Sequence, residues 1–508
     1  MIVYLIGAGP GDPGLITIRG RDLLGKAEAV VYDALANDAL LKHVKPGAEL
    51  IYVGKVAGRH ALPQDKINEL LVQKAREKGI VARLKGGDPY VFGRGAEEGE
   101  YLATHSIPFE VVPGVSSAIA APAYAGIPLT HRDFVSAVTI ITGHEKAGKD
   151  SSAHNWSAYV QSGATLVFLM GMKSLDTIIE NLTASGISGD MPGAVIYRGT
   201  TPMQRAVVAP LKNLANEARI AGLSNPAVIV VGKVVSLAPL LDWYSKKPLL
   251  GRSVIVTRAR EQASDTVSSL RELGAHVLEF PSIKIVPLPD YTMADEAIDS
   301  LSDYGWIIFT SANGVKYFWK RLAAKGKDSR ALGTCKVAAI GPATCEAIAS
   351  KGIKADLVPK SFVAEAVSDA IQAYEGHQLE GSKILIPRAS KARMALPDGL
   401  AAAGAVVDIV PLYDTVAESE SINSIMDSLR QGELDCITFT SSSTVDNLLQ
   451  ALPDVEILKN SRVKLAVIGP VTEATLRKYG LSPDIKAEEY TVPALVEAVK
   501  EYFSGEKG

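Results

Sequence analysis

At 508 residues the chain is too long for one compact core and predicts roughly three to five domains at ~100 to 200 residues each. Hydrophobic residues at 47% and charged residues at 21%, with 44 Gly and 27 Pro, describe ordinary folded α/β protein and exclude a disordered chain. The 53 Lys plus Arg balance 56 Asp plus Glu to a formal charge of −3, so no global field attracts nucleic acid or an anionic membrane, and any anionic ligand must be met by local positive groups.

The opening MIVYLIGAGPGDPG has no basic leader and only a short apolar run before glycine, too short for a signal peptide or a membrane span. Cys335, Cys345 and Cys436 show neither CxxC spacing nor an even count, so neither a disulfide framework nor a metal site is expected. A soluble protein of the reducing cytoplasm is the expectation.

From residue 1 to about 235, short β-branched runs (IVYLI, AVVY, LIYV, VARL, PFEVV, VTIIT, TLVFLM, AVIVVG) alternate with helical stretches, which reads as α/β. Residues 64–79 illustrate the helices: Ile67, Leu70, Leu71 and Ala75 form one stripe, and Gly79 supplies the stop. Gly9, Gly11 and Gly14 spell GxGxxG after the first strand, but Pro10 and Pro13 remove backbone donors that a dinucleotide turn must supply. Two further glycine-rich loops, LKGGDPYVFGRGAEE and VVPGVSSA, follow strands, and three such loops at strand ends could line one pocket or be plain turns. Asp33 follows AVVY and Lys55 follows IYVG; the first could be a helix cap and the second a solvated lysine, or both could serve chemistry.

Rhythm is lost across LAPLLDWYSKKPLLGRS, which places the main boundary near residues 244–250. Beyond it the chain repeats. GRSVIVTR matches GSKILIPR, LGAHVLEFP matches AGAVVDIVP, FTS recurs, and AIGPAT matches VIGPVT, at an offset of about 130 residues throughout. Two copies of one α/β unit imply two similar lobes with a cleft between them. Their strand ends are rich in hydroxyls and small residues (Thr257, Arg258, Thr310 to Asn313, Gly341 to Thr344, Arg388, Ser390, Thr440 to Thr444, Gly469 to Thr472), which suits either helix capping or anion binding.

In order, YLIGAGPGDPGLITIRG, VVYDAL, YVGKVAGRHALPQDKIN, VARLKGGDPYVFGRGAEE, PFEVVPGVSSA, AGIPLTHRD, ITGH, LVFLMG and YRGTTPMQR closely resemble uroporphyrinogen-III C-methyltransferase of the tetrapyrrole methylase family, over nearly all of residues 1–240. The resemblance implies two α/β lobes with S-adenosylmethionine between them, S-adenosylhomocysteine as product, and a homodimer. It implies cofactor positions at Pro10, Gly86, Gly87, Asp88, Val91, Ser116, Ser117, Met170 and Gly199, a proton acceptor at Asp33 and a proton donor at Lys55. Val56 stands where many relatives carry arginine, and Ser116 where threonine is common. For a carboxylate-rich substrate, Arg59, His60 and Arg132, with Lys85, Arg94 and His131, are candidates for a cationic rim.

GRSVIVTRAR, LGAHVLEFPSIKI, FTSANGV, AIGPAT, VVDIVPLYDTV, FTSSSTV and VIGPVT resemble uroporphyrinogen-III synthase over roughly residues 251–503. That resemblance implies no cofactor and two lobes, 252–282 plus 415–506 and 287–410, joined by crossing strands near 280–287 and 410–416. It places Ser311, Thr344, Tyr413, Ser441 and Thr472 in the cleft, with Tyr413 assisting departure of the substrate hydroxyl. The expectation is an α/β bifunctional enzyme acting on small tetrapyrroles. Residues 251–508 would close hydroxymethylbilane to uroporphyrinogen III with inversion of ring D, and residues 1–245 would methylate it twice to precorrin-2. The alternative is a methylase fused to a bilobed domain that binds a tetrapyrrole without catalysis.

Overall fold

The computed structural model describes residues 1–54, 62–143, 154–257, 260–280, 283–359, 364–376, 379–391, 394–417 and 420–505. The first sheet is built from β1 (Ile2–Gly7), β2 (Ala29–Tyr32), β3 (Glu49–Tyr52), β4 (Ile80–Lys85) and β5 (Phe109–Val112), in the order β3-β2-β4-β1-β5. All its neighbours run parallel, and its central strands are near-continuous apolar runs because helices cover both faces. The helix Gln64–Lys78 is one such cover: it buries Ile67, Leu71, Val72 and Ala75 and stops at Gly79, whose φ of +89° a side chain would oppose.

The second sheet contains β6 (Val138–Thr142), β7 (Thr165–Leu169), β8 (Pro192–Tyr197), β9 (Arg205–Pro210) and β10 (Ala227–Val231), in the order β6-β7-β10-β8-β9. Here β6 and β7 are parallel while β7-β10, β10-β8 and β8-β9 are antiparallel. The alternation in the sequence does not distinguish this mixed sheet from a parallel one. The connection between β8 and β9 is too short for a crossover helix, so the two must form a hairpin.

The second half holds two further sheets. β11 (Ser253–Val256), β12 (His276–Glu279), β18 (Cys436–Phe439), β19 (Lys464–Val467) and β20 (Ile485–Lys486) form one, in the order β12-β11-β18-β19-β20. β13 (Ile283–Pro287), β14 (Trp306–Phe309), β15 (Lys336–Ala339), β16 (Lys383–Ala389) and β17 (Val406–Ala417) form the other, in the order β13-β17-β16-β14-β15. The sequence repeat pairs β11 with β16, β12 with β17, β14 with β18 and β15 with β19. Neither repeat copy is therefore a lobe: the first of these sheets takes two strands from the first copy and three from the second, and the other takes three and two. The chain crosses between them through β13 and the long β17, which pair antiparallel from Ile283 with Ala417 to Pro287 with Tyr413.

At the junction of the halves, Tyr244 is buried and donates to the Thr200 carbonyl at 3.3 Å, while Leu249 is fully buried in the core around Val254 and Leu270. Gly251 N–H donates to the Pro202 carbonyl at 2.9 Å. Among the described residues, no helix is long and apolar enough to cross a membrane.

Candidate active sites

The loops after β1, β4 and β5 meet at one end of the first sheet. A Cβ on Gly7 would lie 2.5 Å from Gly114 Cα, and one on Gly114 would lie 2.3 Å from the Gly87 carbonyl oxygen, so the loops can pack this closely only as glycine. Gly87 N–H donates to the Gly9 carbonyl at 2.7 Å. Asp88 adds a clamp, its carboxylate accepting from Gly114 N–H at 2.9 Å and from Tyr90 N–H at 2.8 Å. Its side chain thus shapes the pocket by holding two loops together.

The first loop does not lead directly into a helix. Pro13 opens a single 3-10 turn, Pro13–Leu15, capped by Asp12, which accepts from Gly14 N–H at 2.7 Å. Asp12 also accepts from the Tyr124 hydroxyl at 2.7 Å, and its N–H donates to Thr200 Oγ1 at 3.1 Å. Burial, reinforced by Asp12, holds the Tyr124 phenol above its ordinary pKa and so keeps it a donor. Met170, Arg198 and Thr200 have φ of +57°, +46° and +69°, strained values for residues with side chains. Thr200 is held there by its N–H bond to Gln204 Oε1 at 2.7 Å. Gly199 between them packs so tightly that a Cβ would sit 2.3 Å from Ala121 Cβ.

These elements enclose a cleft of about 1370 Å³. Pro10, Gly86, Gly87, Asp88, Val91, Ser116, Ser117, Met170 and Gly199 all line it, and His276 and Leu278 from the second half border it. The helix Ser117–Tyr124 begins at its wall, capped by Ser116, which accepts from Ala118 N–H at 3.3 Å; the positive end of its dipole suits the carboxylate of an amino-acid-bearing nucleoside. With glycine loops that admit close backbone approach, the residues present fit S-adenosylmethionine.

Asp33 does not cap a helix. Its Oδ1 accepts from Leu35 N–H at 3.1 Å and its Oδ2 from Arg83 Nη2 at 2.9 Å, while its neighbours Tyr32 and Ala34 line the cleft. Behind it lies a charge cluster that the sequence reading missed. Glu98, fully buried, accepts through Oε1 from Arg83 Nε at 3.2 Å, Lys85 Nζ at 2.8 Å and Gln64 Nε2 at 3.1 Å. Two cations inside the otherwise apolar strand IVARLK were the available signal, since charges in a buried strand need partners. The expectation that Lys85 joins a cationic rim is corrected: it is buried beneath Glu98. Burial, then repulsion from Arg83, lowers its pKa. Arg94 pairs with Glu97 at the surface. Arg132 and His131 occupy an exposed turn and do not line the cleft. Lys55, Arg59 and His60 lie outside the described residues.

In the second half, Ser311 caps the helix Ala312–Ala324 by accepting from Gly314 N–H at 3.0 Å, and its Oγ lies 3.1 Å from the Tyr413 hydroxyl. Burial raises the Tyr413 pKa, opposed by the Ser311 bond, so the phenol remains protonated and able to donate. Ser441 takes the matching position in the other lobe, capping the helix Ser442–Ala451 through a capping box with Thr444. Thr344 and Thr472 are buried in the first turns of their helices. Thr257, expected at a strand-end ligand site, is buried and donates to the Thr438 carbonyl at 2.7 Å; it joins β11 to β18 instead.

Residues 2–215 match the family model described as Tetrapyrrole (Corrin/Porphyrin) Methylases, and residues 264–497 match Uroporphyrinogen-III synthase HemD. The chain is 41% identical over 503 residues to "Porphyrin biosynthesis protein HemD" of Ruminiclostridium josui, covering 99% of this chain and 98% of that one. It is 40% identical over 366 residues to "Uroporphyrinogen-III C-methyltransferase" of Bacillus subtilis strain 168, covering 72% and 73%. The solved uroporphyrin-III C-methyltransferase from Thermus thermophilus complexed with S-adenosyl homocysteine is 38% identical, with a TM-score of 0.41, covering 47% of this chain and 100% of that one.

Proposed function

We infer the activity from one premise: the chain belongs to the porphyrin-biosynthesis family that joins a tetrapyrrole methylase to a uroporphyrinogen-III synthase. The C-terminal unit cyclises hydroxymethylbilane to uroporphyrinogen III with inversion of ring D, and the N-terminal unit methylates that product twice to precorrin-2. The observation that carries this reading is the end-to-end match of one chain to both families.

In the first unit the bound S-adenosylmethionine supplies an electrophilic methyl group. The glycine loops and the Ser116–Ser117 wall hold and orient reactants, which is most of the catalytic work in such a transfer. Asp33, aimed by Arg83, accepts the proton that the methylated ring carbon loses. In the second unit Tyr413 donates a hydrogen bond to the departing hydroxyl, and Ser311 fixes the phenol's direction. A homodimer formed through the methylase unit and a cytoplasmic location belong to the same proposal; three free cysteines support the latter.

Incubation of the whole protein with hydroxymethylbilane and S-adenosylmethionine is the test. Mass analysis should show a dimethylated macrocycle. A type I isomer at the spontaneous rate would instead identify the second unit as a binder.

The units should also separate. Leu249 belongs to the second core and Tyr244 to the first, leaving 245–248 outside both. Chains 1–247 and 248–508 are expected to fold and keep their own reactions, with loss of the His276–Leu278 border felt in cofactor affinity rather than turnover. Insolubility of both fragments would refute the division.

A further inference from the structure

Arg388 is the penultimate residue of β16, the strand paired with both β14 and β17 in the second lobe. Its side chain is only 5% exposed, yet among the described residues it has neither an ion pair nor a hydrogen bond, and Nε is enclosed without an acceptor. The acids of the paired strand β17 are engaged elsewhere: Asp408 accepts from the Tyr304 hydroxyl and Asp414 from the Ser390 hydroxyl, each at 2.7 Å. A guanidinium cannot escape the cost of burial by losing its proton at neutral pH. Native structures retain such an uncompensated charge where a ligand completes it.

The location says which ligand. β16 and β17 shift register between Arg388 and Ala389, where Ala389 pairs with Tyr413, and Ser390 N–H donates to the Tyr413 carbonyl at 3.0 Å. Arg388 and Tyr413 act on each other electrostatically, and burial lowers the arginine's pKa from its ordinary value. The buried cation thus lies one residue from the strand partner of Tyr413, at the carboxyl end of the sheet where the phenol meets the Ser311 hydroxyl. We propose that Arg388 is a substrate-binding residue of the synthase unit, receiving one carboxylate of the linear tetrapyrrole beside Tyr413. A planar fork matches a carboxylate with two parallel bonds, and seating one there brings the neighbouring part of the substrate to the phenol. This rests on the synthase reading above.

The test uses the full chain with Arg388→Met and Arg388→Lys. In Arg388→Met, kcat/KM for hydroxymethylbilane should fall ~10- to 100-fold, mainly through KM. Its thermal midpoint should rise by about 2 to 4 °C, because an unpaired buried charge has been replaced by an apolar chain of similar length. Arg388→Lys should recover part of the binding but not the bidentate geometry. Methylation of supplied uroporphyrinogen III should be unchanged. Wild-type kcat/KM in Arg388→Met overturns the proposal, as does a lowered midpoint or failure to fold, which would make the guanidinium structural. A wild-type chain inactive on hydroxymethylbilane refutes the synthase reading itself, before any variant is compared.

Discussion

Glu98→Ala is expected to destabilise the methylase unit by about 3 to 5 kcal/mol, the cost of removing one partner from a buried charge cluster. Glu98 is fully buried and its Oε1 serves Arg83, Lys85 and Gln64 together. Alanine would leave Arg83 and Lys85, 3% and 4% exposed, without their shared counter-charge. The lysine can yield by losing its proton; the arginine cannot. The folded-state pKa of Lys85 is already lowered by burial, so between that value and the unfolded value near 10.4 the unfolded chain binds more protons and stability rises with pH. Loss of Glu98 lowers it further and widens this window downward. The deficit of Glu98→Ala should thus shrink as pH rises from 7 toward 10. Denaturant titrations at both ends of that range check this, and a deficit below about 1 kcal/mol at pH 7 would show that the cluster is not a paired unit.

Asp33→Asn should lower methyl transfer ~10²- to 10⁴-fold while leaving affinity for S-adenosylhomocysteine nearly unchanged. The amide retains an oxygen for Leu35 N–H and so preserves the local turn. It cannot accept the proton. Arg83 keeps its bonds to Glu98 at 3.2 Å and to the Leu84 carbonyl at 3.0 Å, which limits the structural disturbance. Calorimetry with S-adenosylhomocysteine separates the two effects. Normal turnover would reduce Asp33 to a turn residue, whereas lost affinity would place it among cofactor contacts.

Much of this architecture was legible before any coordinates. Strands were readable because a parallel sheet covered on both faces requires uninterrupted apolar runs such as IVYLI and AVVY. The glycine loops were readable because close backbone packing leaves no room for a Cβ: Gly87, Gly114 and Gly199 are required by atoms less than 3 Å away or by a positive φ. The fate of charged side chains was much less legible. Lys85 and Arg94 look alike in sequence, but one lies under Glu98 in the core and the other on the surface. A side chain's pairing depends on residues brought together from distant segments.

The sequence by itself determined the α/β class, the break near 244–250, the repeat in the second half and the loops that would surround a ligand. Each is encoded by local spacing: apolar period, glycine position, a matched run of residues. The resemblance implied lobes of 252–282 plus 415–506 and 287–410, and only the tertiary structure decided the order and register of the strands within each sheet. The repeat taken alone suggests that each copy folds on itself. Instead β11 and β12 pair with strands of the second copy, and β14 and β15 join β16 and β17. Copies with like strands offer like pairing edges, so the repeat permits either arrangement. The β13–β17 crossing selects the exchanged one, and that exchange brings Ser311 from the first copy against Tyr413 from the second.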